Sequence, residues 1–287
     1  MIDGDSFGYE VFYGGTQNMK SESGKKRKPI RAVIAGIPVL LAGLTVFLSL
    51  KNVQNADRAF RNGMGIVEGM YQLARRETGE FREINLKGLK KCSVDQFDMP
   101  GFGNLAILRT HAGLKQKTAF VMTPYEKKMP ACTVEYTYFL WMSKADMEFC
   151  DLTGKEDSDG YKQAVMQLDK TCMNYYDIEE EQQASNWNDS FRALAVHKKL
   201  QKQDELRNQD MLCSVLSTYL NAAKAAATDS PEDTAQQLAA AESYSEQLLE
   251  NGGGPADDIR EALSRDQAQA FLSKVFFGTE AYRENMQ

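Results

Sequence analysis

The sequence predicts an α+β fold in which one N-terminal transmembrane helix precedes an antiparallel sheet covered by helices, close to an α/β/α sandwich. Three observations carry this. Ala32 to Leu50 (AVIAGIPVLLAGLTVFLSL) runs for 19 positions without a charge. Residues 81–152 set β-branched and aromatic segments between turn residues, and from Tyr161 onward apolar positions recur three and four apart. Strands in one block and helices in another favour an antiparallel sheet, because parallel strands need a crossover between each pair.

At about 1.5 Å per residue the uncharged run reaches roughly 28 Å, close to the hydrocarbon thickness of a bilayer. It has no polar face, unlike a helix packed on a soluble core. Pro38 sits in its first turns, where a membrane helix tolerates a bend. A cleaved signal peptide shares the order of basic patch then apolar core. The tail of about 30 residues is long for a signal, however, and the run exceeds the roughly 7–15 apolar residues usual there. Lys20, Lys25, Lys26, Arg27, Lys28 and Arg31 precede the run, against Lys51, Arg58 and Arg61 behind it. That excess predicts a single-pass cell-membrane protein with its N-terminus cytoplasmic and its C-terminal domain extracytoplasmic. The expected organisation is a basic tail at 1–31, the span at 32–50, a juxtamembrane helix at 51–80 and an α+β domain at 81–287.

Residues 1–50 hold six basic and four acidic side chains, leaving 28 basic and 36 acidic beyond, a net of −8. Such a domain does not attract nucleic acid or anionic lipid as its main partner. His111 and His197 are too few for a histidine-built metal site. Cys92, Cys132, Cys150, Cys172 and Cys213 follow at spacings of 40, 18, 22 and 41, which match no zinc pattern, so no metal is expected. The cysteines read either as one or two disulfides or as buried thiols, with Cys132 and Cys150 the first pair to test.

Behind the span, Val53, Ala56, Phe60, Met64, Val67, Met70, Tyr71 and Ala74 predict an amphipathic helix over 52–79. Gly63, Gly65 and Gly69 weaken it and leave either a kink or a face for close approach. Strands are expected at 81–86, 105–110, 118–123, 133–142 and 146–152, the last two joined as a hairpin through Met142-Ser143-Lys144-Ala145. Within VEYTYFL, Val134, Tyr136, Tyr138 and Leu140 share one face, with Glu135, Thr137 and Phe139 on the other. Helices are then expected at 161–175, 190–200, 204–227, from Ser230 to the stop at Gly252-Gly253-Gly254, from Pro255 to Leu263, and from Asp266 to Phe276.

Chemical signatures are sparse. The chain contains no G-x-x-x-x-G-K-[ST], G-x-G-x-x-G, G-x-S-x-G or H-E-x-x-H. Lys155 to Gly160 has the look of a calcium loop but places Lys155 at the first ligand position, and it reads as a solvated turn. Gly252-Gly253-Gly254-Pro255 offers backbone N–H groups to an anion, which Asp257 and Asp258 would repel. Glu179-Glu180-Glu181 reads as a solvated acidic loop, and Trp187 as a loop anchor.

One stretch resembles a known family. Met122-Thr123-Pro124, the step Met129-Pro130, the strand Ala131-Cys132-Thr133-Val134-Glu135 and the closing Phe149-Cys150-Asp151-Leu152 are similar to the core of the ferredoxin-dependent bilin reductases. Asp266-Gln267-Ala268-Gln269-Ala270-Phe271-Leu272 with Phe277-Gly278 resembles that family's C-terminal helix. The resemblance implies a linear tetrapyrrole held between sheet and C-terminal helices, an acid on the central strand as proton donor, and ferredoxin as electron donor. By position the acid is Glu135. The place of the family's histidine, five residues before the strand-ending proline, is Ala119.

Together these features predict a membrane-anchored envelope protein that binds a ligand or partner without catalysis and without a cofactor. Its partners would be the lipid bilayer and a membrane-complex or envelope protein. The alternative is a tetrapyrrole-binding protein or reductase using Glu135.

Overall fold

The computed structural model describes residues 28–87, 90–153, 158–183, 185–253 and 257–286, with side chains from residue 41 to 284. Helix α1 (Lys28–Met70) carries the apolar run and the amphipathic stretch behind it as one element. The chain divides into two compact units, residues 1–43 and 44–287, and the second holds everything that follows. Among the described residues no helix is long and apolar enough to cross a membrane. The side chains of 32–40, nearly half of the uncharged run, lie outside the described residues, as does the basic tail through residue 27. The transmembrane helix expected at 32–50 is thus not established by the fold.

The helix expected through residue 79 ends earlier, at Met70. Ala74–Arg76 instead forms β1, where Arg75 and Arg76 form ion pairs with Asp95 and Asp98 of its partner strand. Only Gly63 of the three helix glycines has a packing reason. A Cβ there would sit 2.3 Å from the Phe120 ring, whereas Gly65 and Gly69 face open space. The close approach is therefore of helix to sheet.

The other strands are β2 (Glu83–Leu86), β3 (Lys90–Met99), β4 (Gly103–Ala112), β5 (Lys115–Thr123), β6 (Ala131–Phe139), β7 (Met142–Cys150) and β8 (Arg192–Lys199). They form one eight-stranded antiparallel sheet in the order β1-β3-β4-β5-β6-β7-β8, with β2 also beside β3. β8 replaces the helix expected at 190–200. Leu194 and Val196 alternate along this edge strand and pack on the core, a period of two that outweighs the helical spacing of Phe191, Leu194 and Ala195. The β6–β7 turn is tighter than expected. It consists of Leu140 and Trp141, with Leu140 at φ +46°, and Met142 to Ala145 already belong to β7.

Among the described residues six more α-helices follow: α2 (Asp159–Met173), α3 (Glu205–Ala225), α4 (Pro231–Asn251), α5 (Asp257–Ala262), α6 (Arg265–Phe271) and α7 (Thr279–Met286), with a π-helical turn at Leu272–Phe276. Ser230 caps α4 reciprocally with Asp233, and Gly252 at φ +79° ends it. The cap of α6 is Ser264 with Gln267 rather than Asp266.

Strand alternation produces two cores. Leu105, Ile107, Phe120, Val134, Tyr136, Tyr138, Met147 and Phe149 pack against the second half of α1, α2 and α3. Val94, Ala106, Leu108, Ala119 and Val121 pack against α4, α6 and the π-turn through Leu238, Tyr244, Phe271, Phe276 and Phe277. The result is the expected α+β sandwich of helix, sheet and helix. All five cysteines are free, including Cys132 and Cys150. Cys132 registers with Phe149 and Cys150 with Ala131, so the two start from adjacent rungs of the ladder and project to opposite sides.

Candidate functional site

On the face turned toward α4 to α7, the register lines polar side chains into rows across four strands. Ala119, Glu135, Asp146 and His197 occupy one row, on β5, β6, β7 and β8. Two residues along each strand, Lys117, Thr137, Lys144 and Lys199 form the next. An antiparallel sheet needs only one apolar face, and here the second face turns from apolar at β3 to β5 to ionisable at β6 to β8.

Glu135, on the face opposite Val134 and Tyr136, is 7% exposed. Its Oε2 lies 2.7 Å from Lys117 Nζ, and its Oε1 accepts from Thr137 Oγ1 at 3.0 Å. Asp258 of α5 closes over the pair, 3.7 Å from Lys117 Nζ and 3.8 Å from Lys115 Nζ. Burial depresses the Lys117 ammonium, but the attraction of Glu135 and Asp258 outweighs it and holds the pKa above the ordinary lysine value. Both Glu135 oxygens are thus engaged, one by Lys117 and the other by Thr137. A carboxylate already accepting from an ammonium and a hydroxyl has no proton of its own to give, so as a proton donor it would have to draw on Lys117.

The neighbouring row position is built differently. Asp146 Oδ1 is 2.9 Å from His197 Nδ1 and its Oδ2 is 2.8 Å from Lys144 Nζ. Gln183 donates to Oδ1 at 3.3 Å. Burial raises the Asp146 pKa, but the hydrogen bonds with His197 and Lys144 outweigh it and leave it below the ordinary carboxylate value. A carboxylate fixing one imidazole nitrogen sets the tautomer and leaves the other nitrogen to work as acid or base. The depressed carboxylate stabilises the fold above its unfolded-state pKa, and that contribution fades as pH falls through the folded value. Asp146→Asn is accordingly expected to flatten the acid limb of the stability profile below about pH 4, measured by denaturant midpoints across pH.

Three concavities bear on what this face could hold. Beneath α4 and the π-turn, Tyr244, Phe276 and Phe277 fill the sheet-to-helix gap and leave a cavity of about 30 Å³. A polar recess of about 110 Å³ beside Thr123, Tyr125, Lys128 and Asp233 is too small for a cofactor-sized molecule. The third is an open groove of about 520 Å³ whose lining includes Lys115, Thr137, Phe139, Met142, Lys144 and Lys199. It adjoins the Glu135 and Asp146 row through Thr137 and Lys144. Its size is that of ordinary small-molecule sites, its walls are apolar, and its charges are three lysines and Glu181.

His111 does not enter this constellation. It lies on β4 at an odd-numbered position, sharing the face of Leu105 and Ile107, and pairs with Gln116 at 3.0 Å. His197 does enter it, and sequence reasoning missed it by taking β8 for a helix. The signal available was the alternation Leu194, Val196 against Ala195, His197. Gly253 N–H donates to Asp257 at 2.7 Å, so that group is taken by the chain's own carboxylate. Trp187 anchors its loop as expected, donating to Gly252 O at 2.7 Å and packing on Tyr244. Among the described residues no group of histidine, cysteine and carboxylate side chains could hold a metal. Of the calcium-like segment, Lys155 to Asp157 lie outside the described residues, and Ser158, Asp159 and Gly160 cap and open α2.

No protein-family model matches this chain, and no curated protein matches it by sequence. Its fold does match solved structures. The crystal structure of phytochromobilin synthase from tomato in complex with biliverdin superposes with a TM-score of 0.63 at 11% identity, over 77% of this chain and 82% of that one. The chain therefore has a bilin reductase-like fold.

Proposed function

We propose that this protein binds a linear tetrapyrrole, or a planar carboxylated molecule of similar size, in the groove on β5 to β8, and that the Asp146–His197 pair and the Lys117–Glu135 pair manage protons beside it. The groove carries this reading: about 520 Å³ with apolar wall and with Lys115, Lys144 and Lys199 on its lining, each paired with a carboxylate of the chain (Asp258, Asp146 and Glu179) that a ligand carboxylate would replace or share. The likeness in fold to a protein crystallised with biliverdin agrees with it. Reduction of such a ligand would take its electrons from an external donor and its protons from the row on the sheet.

The test is an absorbance titration of the full chain with biliverdin. A saturable shift of the visible bands is expected. Lys144→Glu combined with Lys199→Glu should weaken it at least about tenfold, the equivalent of one lost charge-assisted hydrogen bond. A spectrum unchanged from free biliverdin would overturn the proposal.

A second feature favours the membrane-tethered part of the expectation. Leu44, Val46, Phe47 and Leu50 of α1 are all more than half exposed, an apolar stretch that soluble surfaces seldom leave uncovered. We therefore keep the anchor at 32–50, with the domain extracytoplasmic, as part of the proposal. Carbonate washing of membranes expressing the full chain tests the anchor, and release into the wash would remove it.

A further inference from the structure

The exposed apolar stretch of α1 ends beside two hairpin tips. Ser49 Oγ donates to Gly113 O at 2.6 Å, at the β4–β5 turn, and Asn52 Nδ2 donates to Leu140 O at 3.2 Å, at the β6–β7 turn. The β6–β7 tip presents Trp141 at 70% and Met142 at 57% exposure, two of the largest apolar side chains left uncovered on this domain. Neither is explained by packing. Lysines surround them. Lys202 donates to Asn52 Oδ1 at 2.6 Å beside Lys51, and Lys115 follows the β4–β5 turn. Burial, with the nearby Lys51, pushes the Lys202 pKa down to about 8. Met142 and Lys115 also line the groove, so the mouth of the groove belongs to the same end.

Resting on the tether proposed above, we infer that this end of the domain is a bilayer-contacting surface. Trp141 and Met142 enter the headgroup region, Lys51, Lys115 and Lys202 lie at headgroup level, and the groove opens at the membrane surface. An amphipathic aromatic at the end of an apolar helix, flanked by lysines, is the arrangement that membrane interfaces select. A groove with apolar walls and cationic corners at that level would receive a carboxylated, lipid-soluble ligand directly from the bilayer.

The chain has two tryptophans, Trp141 and Trp187, so the difference in emission between the wild type and Trp141→Phe isolates Trp141. The full chain would be reconstituted into phosphatidylcholine vesicles containing lipids with a quencher at the shallow acyl position. Trp141 emission is expected to shift to the blue and to lose most of its intensity, while emission from Trp141→Phe barely changes. Flotation of the same vesicles separates the failures. If the chain floats but Trp141 emits as in water and is not quenched, the contact surface is wrong and the tether stands. If the chain does not float, both fail.

Discussion

Lys117→Met is expected to destabilise the protein by about 3–5 kcal/mol, because it leaves the Glu135 carboxylate buried without its cation. The partner Thr137 hydroxyl contributes one hydrogen bond and cannot neutralise a charge. Glu135→Leu alone should cost less, since Lys117 retains Asp258 at 3.7 Å. Combining the two should recover much of the loss, because two apolar side chains of similar volume remove the desolvation penalty together with the attraction. Urea midpoints of the four proteins in a double-mutant cycle measure this. A near-neutral Lys117→Met would mean the pair is solvated. The pH dependence has a definite sign. The folded pKa of Lys117 lies above its unfolded value of 10.5, so the stabilisation is complete below that pH and is lost as pH climbs through the folded value.

This pair also bears on catalysis. A reductase that used Glu135 as its acid would need a proton on a carboxylate engaged by Lys117 and Thr137, whereas His197 has one nitrogen fixed by Asp146. The imidazole sits on β8, two strands from Glu135, on the opposite side of Glu135 from Ala119. Under the proposed function, proton transfer on this face would therefore lie toward the sheet edge, where the groove is, rather than under the helices, where aromatic side chains fill the space.

How much of this was legible in the sequence follows from which forces act locally. The strands β4 to β7 and their two faces were readable, because apolar alternation in VEYTYFL is a property of adjacent residues. So were the Ser230 cap and the Gly252 stop. β3 was not: KKCSVDQFDM buries Gln96 on the same face as Cys92 and Val94, and a buried polar residue breaks the pattern that marks a strand. Gln96 is buried because it donates to Asn104 Oδ1 and Lys274 O, partners 8 and 178 residues away. The Lys117–Glu135 pair was half legible, as the two residues lie on adjacent strands but their burial depends on α5. The groove was invisible, since it depends on β8 reaching the sheet edge. The resemblance to the bilin reductases located the fold from short motifs, yet the Phe277-Gly278 it included has a reason that only the fold reveals.

Gly278→Ala is expected to destabilise the protein through a single added methyl group. Gly278 adopts φ +70°, a left-handed conformation that costs a side-chain-bearing residue about 1–2 kcal/mol. A Cβ there would also lie 2.4 Å from Asn104 Oδ1. Asn104 is the clamp of the C-terminal segment. Its Nδ2 donates to Val275 O and Phe276 O, both at 3.1 Å, and its Oδ1 accepts from Gln96, so the carbonyls of the π-turn are satisfied from the sheet. Moving Asn104 aside would leave those buried groups unpaired, at about 1–3 kcal/mol, and loosen the seating of Phe276 and Phe277 on Val94 and Val121. Thermal unfolding of Gly278→Ala should accordingly show a loss of about 2–5 kcal/mol, the sum of strain and clamp. Asn104→Ala removes both the clamp and the obstacle, so Gly278→Ala in that background should add only the conformational cost. Strict additivity of the two would show that the glycine is held by its φ alone and that Asn104 yields freely.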